Sequence, residues 1–348
     1  MTPNQTPPFA THRRNTPGFR PPTVETVAEL AGVSRQTVSN VINAPERVLP
    51  GTRERVQQAI DELRYRPNRL GSALQSSTTR AFAYRCHISE DEENLLLDRF
   101  LHELCRAATI RRHHIVLVSP ADIEEEIATY DDMFHTGAVD GIIVSGTFPG
   151  DRRLDTLRGH KIPSVSFGRD WDHPDVRGWV DIDGAAGIAQ AVHHFAREGH
   201  RAIAWIGETH GGAVSDRRDG YRRAIDDLRL ARLELESGDT IEGATAVALI
   251  ALRGSDPPSA FVCSTDVVAV GCARAAIELD LKIGAQLGII GFDDTRLALA
   301  TSPQLSSIRQ PTEQVAQLLI GGLIEAVATG TDMASQILAP SLIHRGSS

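Results

Sequence analysis

The stretch that most constrains this chain is VETVAELAGVSRQTVSNVIN, residues 24–43. Val24, Val27, Ala28 and Ala31 recur at three and four residues, the spacing of one helical face. Gly32 ends that helix, where a residue free to take positive φ is wanted. Val33 plugs the turn, Ser34 caps the next helix, and Val38 and Val41 set a second apolar stripe against the first. Two short helices joined this way read as a helix-turn-helix. Small Ala28 allows a close crossing, and Arg35, Gln36, Thr37, Ser39 and Asn40 stay on or beside the open face with donors suited to a DNA groove. A helical hairpin inside an all-α protein is the competing reading of these residues alone. TRERVQQAIDEL, residues 52–63, counts against it, because Val56, Ala59, Ile60 and Leu63 line one face of a third helix that closes a minimal core.

TVETVAELAGVSRQTVSNVIN followed by TRERVQQAIDELRYRPNRLGSAL resembles the amino-terminal signature of the LacI/GalR (lactose repressor) family of bacterial transcription regulators, and the resemblance extends later in the chain to Arg345. The resemblance implies that the helix beginning at Ser34 enters the major groove, with Arg35 and Gln36 reading bases. Asn40 stands where several members carry Arg, which implies a different operator base at that step. Pro67 to Gln75 resembles the hinge helix, and Leu74 matches the leucine that wedges into the minor groove. Gly71 and Ser72 are weaker helix formers than the family places there, so the hinge is expected to be disordered without DNA. Leu49 replaces a usual Ser, and Thr52 is expected to cap the third helix instead. Asn43, Arg47, Asn68 and Arg69 complete the expected DNA contacts, as candidates for positioning the protein on the backbone.

A net charge of −9 argues against a nucleic-acid partner until its distribution is read. Residues 1–80 hold eleven Arg and no Lys against six acidic residues, a balance of +5, which leaves −14 on the remainder. A basic head on an acidic body fits a DNA-binding module joined to something that does not bind DNA. MTPNQTPPFATHRRNTPGFRPP, residues 1–22, has no periodicity and no apolar core of a signal peptide, and reads as a disordered leader. No run approaches the roughly 18–20 apolar residues of a membrane span, so the expected location is cytoplasmic. Cys86, Cys105, Cys263 and Cys272 show no CxxC pairing and read as reduced and packed.

From residue 80 the pattern changes to short apolar runs alternating with helical segments. AFAYRC, HIVLVS, VDGIIVSG and IPSVSFG form one series; GWVDID, RAIAWIG, SAFVCSTD and LGIIGFDD fall in a second. This predicts an α/β core of two doubly wound parallel-sheet subdomains, built like periplasmic sugar-binding proteins, with a ligand in the cleft beyond the strand ends. The expected division is a leader over 1–22, a three-helix head over 23–66, a hinge helix and linker over 67–79, and a core over 80–348. Within the core, 80–195 plus 309–339 form one subdomain and 196–308 plus 340–346 the other, because segments near IRQPT and LAPSLIHR cross back. Two reading heads linked through the core lead to the expectation of a homodimer, and the end at Ser348 without a trailing heptad helix to the expectation that the tetramer-forming tail of one branch of the family is absent.

The resemblance supplies pocket candidates. Arg217 in SDRRDGY offers a fork of donors at a helix start, suited to a sugar diol or carboxylate. Asp293 in GFDD occupies the position of the family's sugar-hydroxyl acceptor, and Thr265 in CSTD replaces a frequent Asn. Arg169 and Trp171 in FGRDWD lie just past a strand, where an aromatic face stacks on a pyranose or simply packs. Asp183 in VDIDGAAG is either a ligand contact or a helix cap. Asp98 and Phe100 open the first core helix and are expected to line the cleft.

No phosphate-binding GxxxxGK[ST], no GxSxG elbow and no GxGxxG follows a strand, and the adjacent pairs His113–His114 and His193–His194 lack metal-ligand spacing. The reading is therefore a non-enzymatic regulator without catalytic residues, metal or cofactor. Its expected partners are double-stranded operator DNA, a sugar-type effector and a second copy of itself, and the role that the resemblance implies is repression of carbohydrate-utilisation genes with release by an inducer. A corepressor-dependent regulator, an activator, and a sugar-binding protein or enzyme on the same core are the alternatives.

Overall fold

The computed structural model describes residues 22–65, 78–86 and 95–348. All but the last two residues of the expected hinge and linker over 67–79, including Asn68, Arg69 and Leu74, and nearly all of the leader lie outside the described residues. The chain divides into two compact units, 1–79 and 80–348.

The first unit holds three helices: α1 (Val24–Ala31), α2 (Arg35–Asn43) and α3 (Pro50–Glu62). Val27, Ala28, Ala31, Val38, Val41, Val56 and Ala59 make its core, as their helical spacing predicts. Tyr65 joins them, a member the helical pattern missed because it lies beyond α3, after Arg64 turns the chain at φ 49°. The expected Thr52 cap is corrected by the structure. Helix α3 starts two residues earlier, with Pro50 at its first position, where its missing amide hydrogen is not needed, and with no side-chain cap, because the preceding Leu49 carries no acceptor.

In the second unit two six-stranded sheets each carry helices on both faces. The first sheet is ordered β11 (Gln336–Leu338), β5 (Trp179–Ile182), β4 (Ser164–Phe167), β3 (Gly141–Ser145), β1 (Ala81–Arg85), β2 (His114–Val118), and every pairing in it is parallel. The second is ordered β12 (Ser341–Ile343), β10 (Ser306–Arg309), β9 (Gly288–Phe292), β8 (Ala260–Cys263), β6 (Ile203–Gly207), β7 (Leu233–Glu236), with only β12 antiparallel. Both faces of a sheet are buried when its strands are apolar throughout. Along β6, Ile203 and Trp205 pack under α7 (Gly184–Arg197) and α8 (Gly212–Asp227), while Ala204 and Ile206 turn to the opposite face, under α9 (Ile241–Leu252) and α10 (Asp266–Glu278). Edge strand β7, reading LELE, was not named from sequence because alternating charge mimics a solvated segment.

The chain crosses between the sheets three times. It leaves the first after β5, returns after β10 into α12 (Thr312–Thr329), and leaves again between β11 and β12. Helix α12 packs on the first sheet through Val315, Leu319 and Leu323. The expected first boundary at residue 195 is corrected to Asp183, because Ile188, Ala191, Val192 and Phe195 of α7 are buried against the second sheet.

Helices α7 and α8 meet through a glycine. A Cβ at Gly220 would stand 2.4 Å from the Ala185 carbonyl oxygen and 2.5 Å from its Cα, which are backbone atoms that cannot step aside. Gly220→Ala should therefore destabilise the core by about 1–3 kcal/mol through overpacking. A thermal melt with an unchanged midpoint would contradict this crossing.

Candidate DNA-reading head and effector cavity

In the head, Thr23 caps α1 reciprocally with Thr26, and Gly32 closes it at φ 64°. Ser34 accepts the Thr37 amide at 3.1 Å and caps α2. This turn leaves Arg35 and Gln36 fully on the surface. Arg35 pairs with Glu25 of α1 at 2.8 Å, and Gln36 donates to Asn40 at 3.0 Å. Thr37 is partly occupied by the cap, its hydroxyl lying 2.9 Å from Ser34. Ser39 and Asn40 are half-buried beside the exposed pair, and Arg47 is exposed on a 3₁₀ turn after α2. Asn43 ends α2, and its side chain lies outside the described residues.

In the core a cavity of about 280 Å³ opens between the sheets, lined by residues just past the carboxyl ends of their strands. Its second-sheet wall is built on Arg217. The guanidinium lies 3.8 Å over the Phe292 ring, donates to the Ser264 carbonyl at 2.7 Å and approaches Asp293 Oδ1 at 3.4 Å. Gln310, in the second crossover, donates to the same Asp293 oxygen at 2.6 Å. All hydrogen bonds described for the Asp293 side chain fall on Oδ1, so Oδ2 is left for another donor. Burial pushes the Asp293 carboxyl above the usual carboxylate range, with Arg217 and Gln310 pulling it back.

The turn that presents Asp293 is strained, with φ of 100° there and 48° at Asp294. Its surroundings hold it. Asp294 receives Arg309 at 2.6 Å and Arg345 at 2.5 Å, and its amide donates to Ser307. Asp266 pins the following residue, accepting both the amide and hydroxyl of Thr295, at 2.6 and 2.9 Å, and the Ser307 hydroxyl at 2.6 Å. Burial, then the charge of Asp293, pushes the Asp266 carboxyl up to about 7.

The first-sheet wall comes from the loop after β4. Arg169 donates to Asp181 at 2.5 Å, stacks 4.7 Å over Trp171 and reaches within 3.6 Å of Asp216 on α8. The Trp171 ring lies on Gly212, where a Cβ would be 2.4 Å from it, so the loop touches the second subdomain at two points. Trp171 Nε1 is buried without a hydrogen-bond partner.

The model of "bacterial regulatory proteins, lacI family" matches residues 23–68, and that of a periplasmic binding protein-like domain matches 192–348. The HTH-type transcriptional regulator CelR of Thermobifida fusca is 32% identical over 320 residues, covering 86% of this chain and 92% of the relative. The chain belongs to the LacI family. A solved complex of transcriptional regulator CelR with cellobiose superposes with a TM-score of 0.68 at 26% identity, covering 94% of this chain and all of that one. The lac repressor dimer bound to operator and the anti-inducer ONPF superposes at 0.83 with 23% identity, covering 94% and 99%, and shares the fold. This LacI-family chain is thus a helix-turn-helix transcriptional regulator with a periplasmic-binding-protein-like core, and the relatives it matches are regulators rather than enzymes. Among the described residues no helix is long and apolar enough to cross a membrane.

Of the expected pocket residues, Arg169, Trp171, Arg217, Thr265 and Asp293 line the cavity together. Three do not. Asp183 spends its carboxylate capping α7, accepting the Ala186 amide at 2.8 Å. Asp98 is exposed, and Phe100 is fully buried against Phe167 and Tyr84. The first core helix, α4 (Leu95–Ile110), begins three residues before Asp98, so its opening residues Leu95, Leu96 and Leu97 line the cavity instead. Arg217 is also not at a helix start: α8 begins at Gly212, one and a half turns earlier. The Thr265 hydroxyl is committed as well, donating to Asp239 at 2.5 Å and capping α10. Gln310, Asp266, Asp181 and Asp216 were not singled out from sequence, although Gln310 sits in IRQPT and Asp266 and Asp216 adjoin named candidates.

Outside the cavity, Asp155, Asp170 and His173 converge at the surface, where Arg158 already pairs with both carboxylates. This is an ion-pair cluster.

In the head, Arg35→Ala should cost about 1–3 kcal/mol of affinity for the preferred DNA sequence and relax preference at one base, whereas Arg47→Ala should weaken all sequences alike and flatten the salt dependence by about one. Fluorescence anisotropy across a base-substituted duplex series at several salt concentrations separates the two. Equal behaviour of both variants would remove the assignment of Arg35 to base reading.

Proposed function

We propose that this chain is a repressor of carbohydrate-utilisation genes that binds a pseudo-palindromic operator as a homodimer and is released by a sugar-type inducer. The observation that carries the sugar assignment is the pairing, in one cavity, of the rigid Arg217–Asp293–Gln310 polar set with the aromatic side chains of Trp171 and Phe167. A sugar ring needs both: hydroxyls take directional partners around its edge, and its CH faces rest on aromatic rings. The cellobiose complex of CelR and the operator-bound lac repressor dimer support the reading by likeness.

Dimerisation follows from affinity. One small reading head makes few phosphate and base contacts, and two heads joined through their cores bind half-sites with a high effective concentration. The switch follows from the contacts across the cleft. Arg169 near Asp216 and Trp171 on Gly212 tie the subdomains together, so a ligand bonded to both walls favours one cleft geometry over another. Transmission to DNA would run through residues 67–79, with Asn68, Arg69 and Leu74 as the proposed contacts.

A thermal-shift screen of the full-length protein against neutral mono- and disaccharides tests the reading. At least one should raise the melting temperature saturably. Arg217→Ala should abolish the rise, and Arg217→Lys, which keeps the charge that Asp293 faces but loses the fork, should abolish it while preserving the fold better. The same sugar should then release the protein from operator DNA. Tighter retention would make it a corepressor, and no response from any sugar would defeat the assignment.

A further inference from the structure

Resting on the sugar reading above, we infer that this cavity selects an uncharged, non-phosphorylated glycoside and rejects the phosphorylated or acidic counterpart of the same sugar by charge. Six carboxyl side chains line it: Asp181, Glu208, Asp216, Asp239, Asp266 and Asp293. Against them, among the described lining residues, stand only the guanidiniums of Arg169 and Arg217. Both already face carboxyl or carbonyl oxygens of the protein. Arg169 is held by Asp181 and faces Asp216, and Arg217 is spent on the Ser264 carbonyl, Asp293 and the Phe292 ring.

The other means of binding a phosphate is a helix amino terminus, where free amides and the positive end of the dipole meet. Of the helices that begin at this cavity, α7 and α10 have first-turn amides taken by side chains and α8 has its first residue covered, while the opening residues of α4, Leu95 to Leu97, offer apolar side chains. At α7 the Asp183 carboxylate accepts the Ala186 amide and Asp216 accepts the Ala185 amide at 3.1 Å. At α10 Thr265 caps the helix and Asp266 is its first residue. At α8 the ring of Trp171 covers Gly212, the first residue.

Asp239 holds the balance negative. Its one described hydrogen bond is to the Thr265 hydroxyl, and among the described residues it forms no ion pair. Like charge adds to burial at the neighbouring carboxyls. Asp293 is pushed up by burial and then by Asp239, and Asp216 by burial with Asp181 and Asp183 adding to it. A phosphate dianion entering this space would lose its hydration and meet an excess of like charge. Neutral hydroxyls, by contrast, donate to carboxylates such as Asp293 through Oδ2.

The test is a matched-pair titration on the full-length protein by calorimetry, using glucose, galactose, cellobiose and maltose against glucose 6-phosphate, galactose 6-phosphate, 6-phosphocellobiose and maltose 6′-phosphate. The expected result is that a neutral sugar binds and its phosphate binds at least tenfold more weakly. Asp239→Asn, which keeps the acceptor for Thr265 and whose ligand-free melting temperature reports its fold, should narrow that gap several-fold. A phosphate that binds as well as or better than its neutral partner overturns the inference. So does a gap that Asp239→Asn and added salt leave unchanged, since that outcome marks steric exclusion. If neither member of any pair binds, it is the sugar reading itself that fails.

Discussion

The core of this protein depends on a constraint of chain path: the backbone passes between its two parallel sheets three times, at Asp183, around Gln310–Pro311, and between Leu338 and Ser341. Neither sheet is complete without a return crossing. Strand β11 finishes the first sheet only after α12 has come back from the second, and β12 then finishes the second. Because the connections run at the carboxyl ends of the strands, the cavity and the crossovers occupy the same place. Gln310 embodies this, being part of a crossover and at the same time a partner of Asp293 at 2.6 Å. A change in the angle between subdomains must move residues that touch the ligand site.

Around that path the polar groups form two linked sets. On the second sheet, Asp266 ties the start of α10 to the turn after β9 and to β10, and so holds the strained Asp293–Asp294 turn that faces Arg217. On the first, Arg169 and Trp171 extend from one strand end to helix α8 of the other subdomain. Buried charges in such a site are costly unless paired or hydrogen-bonded, and these are held by ion pairs or, for Asp266, by Thr295 and Ser307. Their mutual satisfaction leaves little for a charged ligand and a preformed surface for a neutral one, which joins the proposed ligand class to the same interactions that hold the fold.

How much of this was legible beforehand differed by element. The head was legible in detail, since helical periodicity, Gly32 and Ser34 are local signals that report local structure. The start of α3 was not, because a proline at the first helical position and a capping threonine are both plausible in LPGT. The strands of the core were legible where they are apolar throughout, and β7 escaped notice because LELE has the polarity of an edge. The α7 boundary was misplaced because a helix beside a crossover packs on whichever sheet its apolar face meets, and that partner is remote in sequence.

The sequence by itself determined the family, the three-helix head with Arg35 and Gln36 exposed, and the two alternating α/β series, because short-range spacing and residue type suffice for these. Only the tertiary structure decided which polar residues share the cavity. Asp98 and Asp183 looked as suitable as Asp293, but one points to solvent and the other satisfies a helix end, while Asp181, Asp216, Asp266 and Gln310 converge from four separate segments. Side-chain commitment to hydrogen bonds is a property of neighbours in space, and the three crossings bring together neighbours that no local pattern encodes.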